Sequence, residues 1–366
     1  MNRKRVITLA LAGMILLVAI VSIIMTSRPK GLSPAISYGI SPYQDTAMPV
    51  VAESLGLYEE HGLNVDLVSI DWENIVPSLA SAGRTIDVAV GSINLLLPRA
   101  ENINVKGGGD VVFFFPLYVF KGAAIMMQKD SRLTPLSEFL ERYPDDHDRA
   151  VRAAMEQIKG KKIGVPPGTP YEQMLTAAAR TAGLDPETDI DVRHVKLTEA
   201  LPAFLAGDLD MVGAGVTQRT EAMRYGHKVF MDMESFGFAE IVGILTTKHF
   251  AEEHPEEMEK LVRIWFESVD TLMSDIDTYS KPVLDYLDQK ASTKYTLEEY
   301  KKALTFQEFP RSVDEAQRLM MAPKGKFYWK RTWDIVNSYL VETGKTEKPI
   351  PHRFFLGTEA LTQFLK

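Results

Sequence analysis

From Ala35 onward, short apolar runs alternate with stretches whose apolar residues recur every third or fourth position. Ala35-Ile36-Ser37-Tyr38-Gly39 is a run of strand type. Met48, Val51, Leu55 and Tyr58 then share one face of a helix, with Asp45 placed to cap it and Pro49 in its first turn, where a missing N–H costs little. Gly62 predicts the end of that helix, and Val65 to Ile70 the next strand. Asn74 is placed to cap a second helix through Ile75, Leu79 and Ala82. Thr85 to Val90 reads as a third strand, stopped by Gly91-Ser92.

The same order returns. Lys162 to Val165 is a strand, and Thr169-Pro170-Tyr171-Glu172 has the pattern of a capping box with proline at the first helical position. Gly183 ends that helix, and Ile190 to Val195 is a strand. A helix through Leu201 and Leu205 stops at Gly207, and Met211 to Val216 is a third strand. Gly62-Leu63 is answered by Gly183-Leu184, and Ile86-Asp87 by Leu209-Asp210, at nearly equal spacing. Strands separated by helices imply parallel sheets with right-handed crossovers. Two such units predict an α/β molecule of two similar lobes, with ligand beyond the carboxyl ends of the strands. Two β-rich segments, Val111 to Gln128 and Ile241 to Thr247, are placed to cross between the lobes and hinge them. Beyond Thr247 the pattern is helical. Leu261, Ile264, Trp265 and Val269 form one buried stripe, and further helices are predicted at Leu297 to Leu304 and Val313 to Met321. These helices are expected to buttress the first lobe. The expected boundaries are 34–119 plus 248–366 for lobe I and 120–247 for lobe II.

Charge and composition change the picture at the N-terminus. The 366 residues carry a net charge of −8, yet Arg3, Lys4, Arg5, Arg28 and Lys30 stand in the first thirty residues without one acid. The body is therefore strongly acidic and lacks the basic face that nucleic acid requires. Val6 to Met25 is free of charge and matches the ~20 residues that cross a bilayer as a helix, with the basic flank held on the cytoplasmic side. Residues 1–30 read either as an uncleaved signal anchor, touching the membrane through 6–25, or as a cleaved signal peptide. Either places the body outside the cytoplasm. There is no cysteine, which excludes disulfides, thiol nucleophiles, cysteine–metal sites and a lipoprotein anchor.

Candidate chemistry is sparse. His249 and His254 lie five apart and do not share a helix face, and Asp145-Asp146-His147-Asp148 reads as a solvated loop. Gly107-Gly108-Gly109 lacks the setting of a phosphate loop, and neither a G-x-S-x-G elbow nor an H-E-x-x-H pair occurs. No catalytic residue, metal or cofactor is expected. The loops after the strands are more informative. Tyr43 and Gln44 follow the first strand, Trp72 and Glu73 the second, and Gly91 and Ser92 the third. Gly168, Thr169 and Tyr171 occupy the matching place in the other lobe, as do Thr217 and Gln218. Turn chemistry accounts for each alone; together, with Tyr118 and Phe236, they are expected to converge on one ligand. Helix N-termini suit an anion or polar head group. Tyr43, Trp72, Tyr118, Tyr171 and Phe236 suit an apolar or aromatic body.

Glu53-Ser54-Leu55-Gly56-Leu57-Tyr58-Glu59-Glu60-His61-Gly62-Leu63-Asn64-Val65 resembles a hallmark segment of extracytoplasmic solute-binding proteins of the nitrate/sulfonate/taurine and thiamine-pyrimidine-precursor type. Ile86 to Gly91, Lys159 to Pro166 and Leu205 to Asp210 resemble further segments of that family, in its order. The resemblance covers about Ile36 to Asp270. It implies a two-lobed type II periplasmic-binding (Venus flytrap) fold that closes on a small solute of sulfonate, carboxylate, pyrimidine or aromatic type. It also implies delivery to an ABC permease and its ATPase, both separate chains, by a binding protein expected to be a monomer. Three features depart from the family pattern. Val216-Thr217-Gln218-Arg219 replaces a Trp-Glu-Pro-like triplet. Trp72-Glu73 stands where small residues are common, which suits a larger solute with a cationic or donor group facing Glu73. Residues 133–157 are longer than the usual link and read as a helical insertion. The same fold also admits enzymes of the thiamine-pyrimidine synthase or menaquinone-pathway lyase kind. Against these stand the absent cysteines, the lack of clustered histidines and the membrane-directed N-terminus. A ligand-sensing partner of a membrane receptor is the third reading.

Overall fold

The computed structural model describes residues 35–364 apart from 82–84, 107–109, 168 and 292–293. The N-terminal anchor or signal, Ala82, the triple glycine and Gly168 lie outside the described residues. Among those described, no helix is long and apolar enough to cross a membrane.

The strands, in chain order, are β1 (Ala35–Ile40), β2 (Asn64–Ser69), β3 (Val88–Ser92), β4 (Val111–Phe120), β5 (Ala124–Met127), β6 (Lys162–Val165), β7 (Asp191–His194), β8 (Met211–Ala214), β9 (Lys228–Asp232), β10 (Glu240–Thr247) and β11 (Gln307–Glu308). They form a six-stranded sheet, β11-β4-β10-β3-β1-β2, and a five-stranded sheet, β7-β6-β8-β5-β9. In the first, β1 runs parallel to β2 and β3, and β10 pairs antiparallel with β3 and β4. In the second, β6 runs parallel to β7 and β8, and β5 pairs antiparallel with β8 and β9. Each sheet thus takes its antiparallel inner strand from the chain that has just left the other sheet. This is the two-lobed type II periplasmic-binding fold. One boundary differs from expectation: β10, assigned to the second lobe as part of 120–247, lies within the first sheet. The second sheet runs only from Ala124 to Asp232.

The repeated hydrophobic-Asp pair has a mechanical role. Asp87 Oδ2 accepts the Ser37 N–H at 2.9 Å while the Asp87 N–H donates to the Ser37 carbonyl at 2.8 Å. Asp210 repeats this on Lys162, at 2.9 Å and 3.0 Å. In each lobe the carboxylate clips the start of the first parallel strand to the third.

Several local expectations are corrected. The first helix, Met48–Leu55, breaks at Gly56 (φ 71°), so Leu55 is exposed while Tyr58 is buried on a separate turn. Ala47, not Asp45, occupies its N-cap, because the loop folds back through Thr46 Oγ1 donating to the Ser41 carbonyl at 2.6 Å. Asn74 ends a 3-10 turn, Trp72–Asn74, and occupies the N-cap position of helix Ile75–Ala80, but its side chain makes no capping hydrogen bond. The third strand begins at Val88 and includes Gly91 and Ser92. Gly91 permits the close approach of β10: a Cβ there would lie 2.5 Å from Leu245 Cδ1. Thr169 precedes helix Pro170–Thr181 but forms no capping box; its hydroxyl donates to the Pro166 carbonyl, and Glu172 turns to His194 and Lys345. The insertion contains helices Leu136–Arg142 and His147–Met155. The second is capped by Asp146, so part of the acidic run starts a helix rather than a loop.

The C-terminal helices do more than support the first lobe. Helix Pro255–Ser274 packs on Met48–Leu55 and β4, and Trp329–Glu342 packs on Ile93–Lys106. They also reach the second lobe, through Arg224–Glu299 at 2.7 Å, Arg180–Glu342 at 2.8 Å and Lys345–Glu172 at 2.8 Å.

Candidate functional site

A cavity of about 50 Å³ lies between the lobes, at the carboxyl ends of the parallel strands. The loop after β1 brings Tyr43, Gln44, Asp45 and Thr46 to it, and the turn after β2 brings Trp72 and Glu73. Tyr118 and Phe120 enter from β4, Glu240 and Val242 from β10. The second lobe closes it with Thr169, Pro170 and Tyr171 after β6 and with Gly215 and Val216 after β8. Five aromatic side chains and three carboxyls therefore share one small space.

Packing fixes the aromatic walls. Tyr43 meets Trp72 edge-on, with ring centroids 6.4 Å apart. Tyr118 stacks on Trp265 at 5.8 Å, and its hydroxyl donates to Asp45 Oδ2 at 3.0 Å. Gly213 and Gly215 make room for Tyr171: a Cβ at either would stand 2.9 Å from that side chain. The lobes touch directly beside the cavity. Thr217 Oγ1 donates to Gln44 Oε1 at 3.3 Å and accepts from the Tyr295 hydroxyl at 2.9 Å. Asn94 Nδ2 donates to Gln173 Oε1 at 2.6 Å.

The electrostatics are set by burial. Asp45 is pushed up to about 6, chiefly by loss of solvent, with the Tyr118 hydrogen bond opposing. Glu240 is pushed up to about 8 by burial and, less strongly, by Asp45, against the bond donated by the Ser92 hydroxyl. Burial also raises Tyr43, Tyr118 and Tyr171, which stay protonated. Among the described residues no cluster of three or more His, Cys, Asp or Glu could hold a metal ion.

Of the thirteen residues singled out from sequence, Tyr43, Gln44, Trp72, Glu73, Tyr118, Thr169 and Tyr171 line the cavity. Gly91 and Ser92 lie one layer behind, where Ser92 holds Glu240. Thr217 and Gln218 sit just past the lining residues Gly215 and Val216, and Thr217 bridges the lobes instead. Phe236 packs against His147 of the inserted helix, ring centroids 6.1 Å apart, and is not among the residues lining the cavity. Gly168 lies outside the described residues. Sequence reasoning missed Asp45, Thr46, Phe120, Pro170, Gly215, Val216, Glu240 and Val242. At sequence level Asp45 has the placing of a helix cap. Glu240 carried a usable signal, since it is a lone acid opening the apolar run Ile241 to Thr247.

Known proteins place this architecture. The chain is 26% identical to a nitrate import ATP-binding protein of Synechococcus elongatus over 199 residues, 52% of the chain and 28% of that protein. It is 24% identical to a Brucella abortus protein, named only as a candidate binding protein, over 48% of the chain and 45% of that protein. The chain thus spans less than half the length of these relatives. The fold matches the periplasmic aliphatic sulphonate binding protein of Escherichia coli at TM-score 0.62 and 15% identity, covering 88% of this chain and 92% of that one. It matches the ligand binding component of an ABC-type import system from Staphylococcus aureus at TM-score 0.63 and 14% identity, covering 90% and 99%. The periplasmic nitrate-binding protein of Synechocystis matches at TM-score 0.55 and 13% identity, covering 72% and 68%. At sequence level, residues 32–280 match the model of the NMT1-like family, and the chain belongs to that family.

Proposed function

We propose that this protein is the extracytoplasmic solute-binding component of an ABC importer, capturing a small organic solute between its lobes and presenting it to a separate permease and ATPase. The observation that carries the reading is the cavity itself: both lobes complete it, it lies at the strand carboxyl ends, and direct bonds between lobes flank it. The folds it shares with a sulphonate binding protein and an import component support the same reading. The charge-free run Val6 to Met25 behind three basic residues supports export, with the run kept as an anchor or removed as a signal. The two strand-to-strand crossings, near Lys121 to Ala123 and Phe238 to Ala239, are the hinge about which the lobes part and close.

A thermal-shift screen of small organic solutes, followed by small-angle scattering on each hit, tests this. A solute that raises the melting temperature, compacts the protein and is recovered unchanged supports capture. Chemical conversion of the hit would refute it in favour of an enzyme on this fold.

A further inference from the structure

The cavity has a one-sided charge. Asp45, Glu73 and Glu240 line it, and no lysine, arginine or histidine does so among the described residues. Asp45 is 5% exposed and Glu240 4%. Glu240 receives Ser92 on Oε1, while Oε2 takes no hydrogen bond among the described residues. Among the described residues neither Asp45 nor Glu240 forms a salt bridge with a basic side chain. Arg99 feels Glu73 from helix Ile93–Lys106, where its guanidinium donates to the Leu95 carbonyl.

Two carboxyl groups buried beside open space without a basic partner hold onto protons when the site is empty, and a bound cation would let both ionise by supplying the missing charge. Aromatic ring faces do the complementary work, because their quadrupole attracts cations. Tyr43, Trp72 and Tyr171 supply such rings around the same space. We propose that the solute is a small organic cation with N–H donors, an ammonium or amidinium, held by Asp45 and Glu240 between the Tyr43–Trp72 pair and Tyr171. This rests on the solute-binding reading of the same cavity. An anion such as a sulfonate would instead meet the carboxyls as like charges or force both to stay protonated.

The test holds shape constant and varies charge. The full chain is titrated calorimetrically with acetamidine, acetamide and acetate, and with benzamidine, benzamide and benzoate. The amidines are expected to bind at least tenfold more tightly than their amide and carboxylate counterparts. Glu240→Gln and Asp45→Asn should each weaken amidine binding at least tenfold and narrow the preference for amidine over amide by the same order. Amides or carboxylates that bind as well as amidines overturn the proposal while leaving the solute-binding reading intact. Amidine affinity unchanged in both variants overturns it too, as does no amidine binding at millimolar concentration. If the wider screen also finds no solute that closes the lobes, the solute-binding reading falls with it.

Discussion

Glu240→Gln should make the unliganded protein more stable in alkali than the natural chain. Glu240 is held at about 8, against an ordinary value of 4.5. Between those two values the folded protein keeps a proton that the unfolded chain has released. Stability therefore falls as pH rises through this window and levels off above it. At about 1.4 kcal/mol per tenfold change in proton affinity, the full penalty is on the order of 5 kcal/mol. Glutamine matches the protonated acid in shape, and its carbonyl still accepts from Ser92, so the two proteins should melt together near pH 5. Unfolding entropy of about 2 cal/mol/K per residue gives roughly 0.7 kcal/mol per degree for a chain of this size. The variant should then melt about 5–7 °C higher than the natural protein at pH 9. Asp45, held at about 6, contributes a similar slope to both proteins and largely cancels in the comparison. Calorimetric melting at pH 5, 7 and 9 without solute measures the difference directly. Parallel pH dependences, or a variant less stable at pH 9, would refute the assignment of Glu240 as a buried, uncompensated acid.

Other consequences follow from the packing. Gly243→Ala places a Cβ 2.2 Å from the Phe115 carbonyl oxygen in the middle of the first sheet, so chemical denaturation should show a loss of about 2–4 kcal/mol. Thr217→Val removes the hydroxyl that joins Gln44 to Tyr295. It should favour the open form by about 1 kcal/mol, seen as a larger radius of gyration in solution scattering. Lys345→Met removes a cation from buried Glu172 and should cost about 1–3 kcal/mol in urea unfolding, with His194 left as a partner. Asp87→Ala and Asp210→Ala should each cost about 1–2 kcal/mol, because they break the same clip in different lobes.

What could be read in the sequence was whatever depends on local chemistry or on repetition. The hydrophobic-Asp pairs marked equivalent strands because the same two hydrogen bonds must be made in both lobes. Gly62, Gly183 and Gly207 marked chain reversals because each adopts positive φ. Loops after parallel strands pointed to the cavity, and to six of its fifteen lining residues, because that geometry belongs to the sheet and not to particular residues. What could not be read depends on contacts between distant segments. Asp45 looked like a cap until Tyr118, 73 residues away, took its carboxylate. Glu240 and Ser92 are 148 residues apart. Phe236 resembled a cavity aromatic until the inserted helix supplied it with another neighbour. The strand β10 read as part of the segment it follows, because alternation reveals a strand but not the sheet it joins.

The placement of β10 also dictates an order of assembly. All five strands of the second sheet lie between Ala124 and Asp232, so a chain emerging from the ribosome holds that sheet complete while the first is unfinished. Until Glu240–Thr247 emerges, nothing joins β3 to β4, and the apolar strand Val111–Phe120 has no main-chain partner among the strands made so far. Domains generally fold as units during synthesis, and unpaired apolar edges are what aggregate. The middle of the chain thus completes its sheet first, while the strands before it wait more than a hundred residues for the one that joins them.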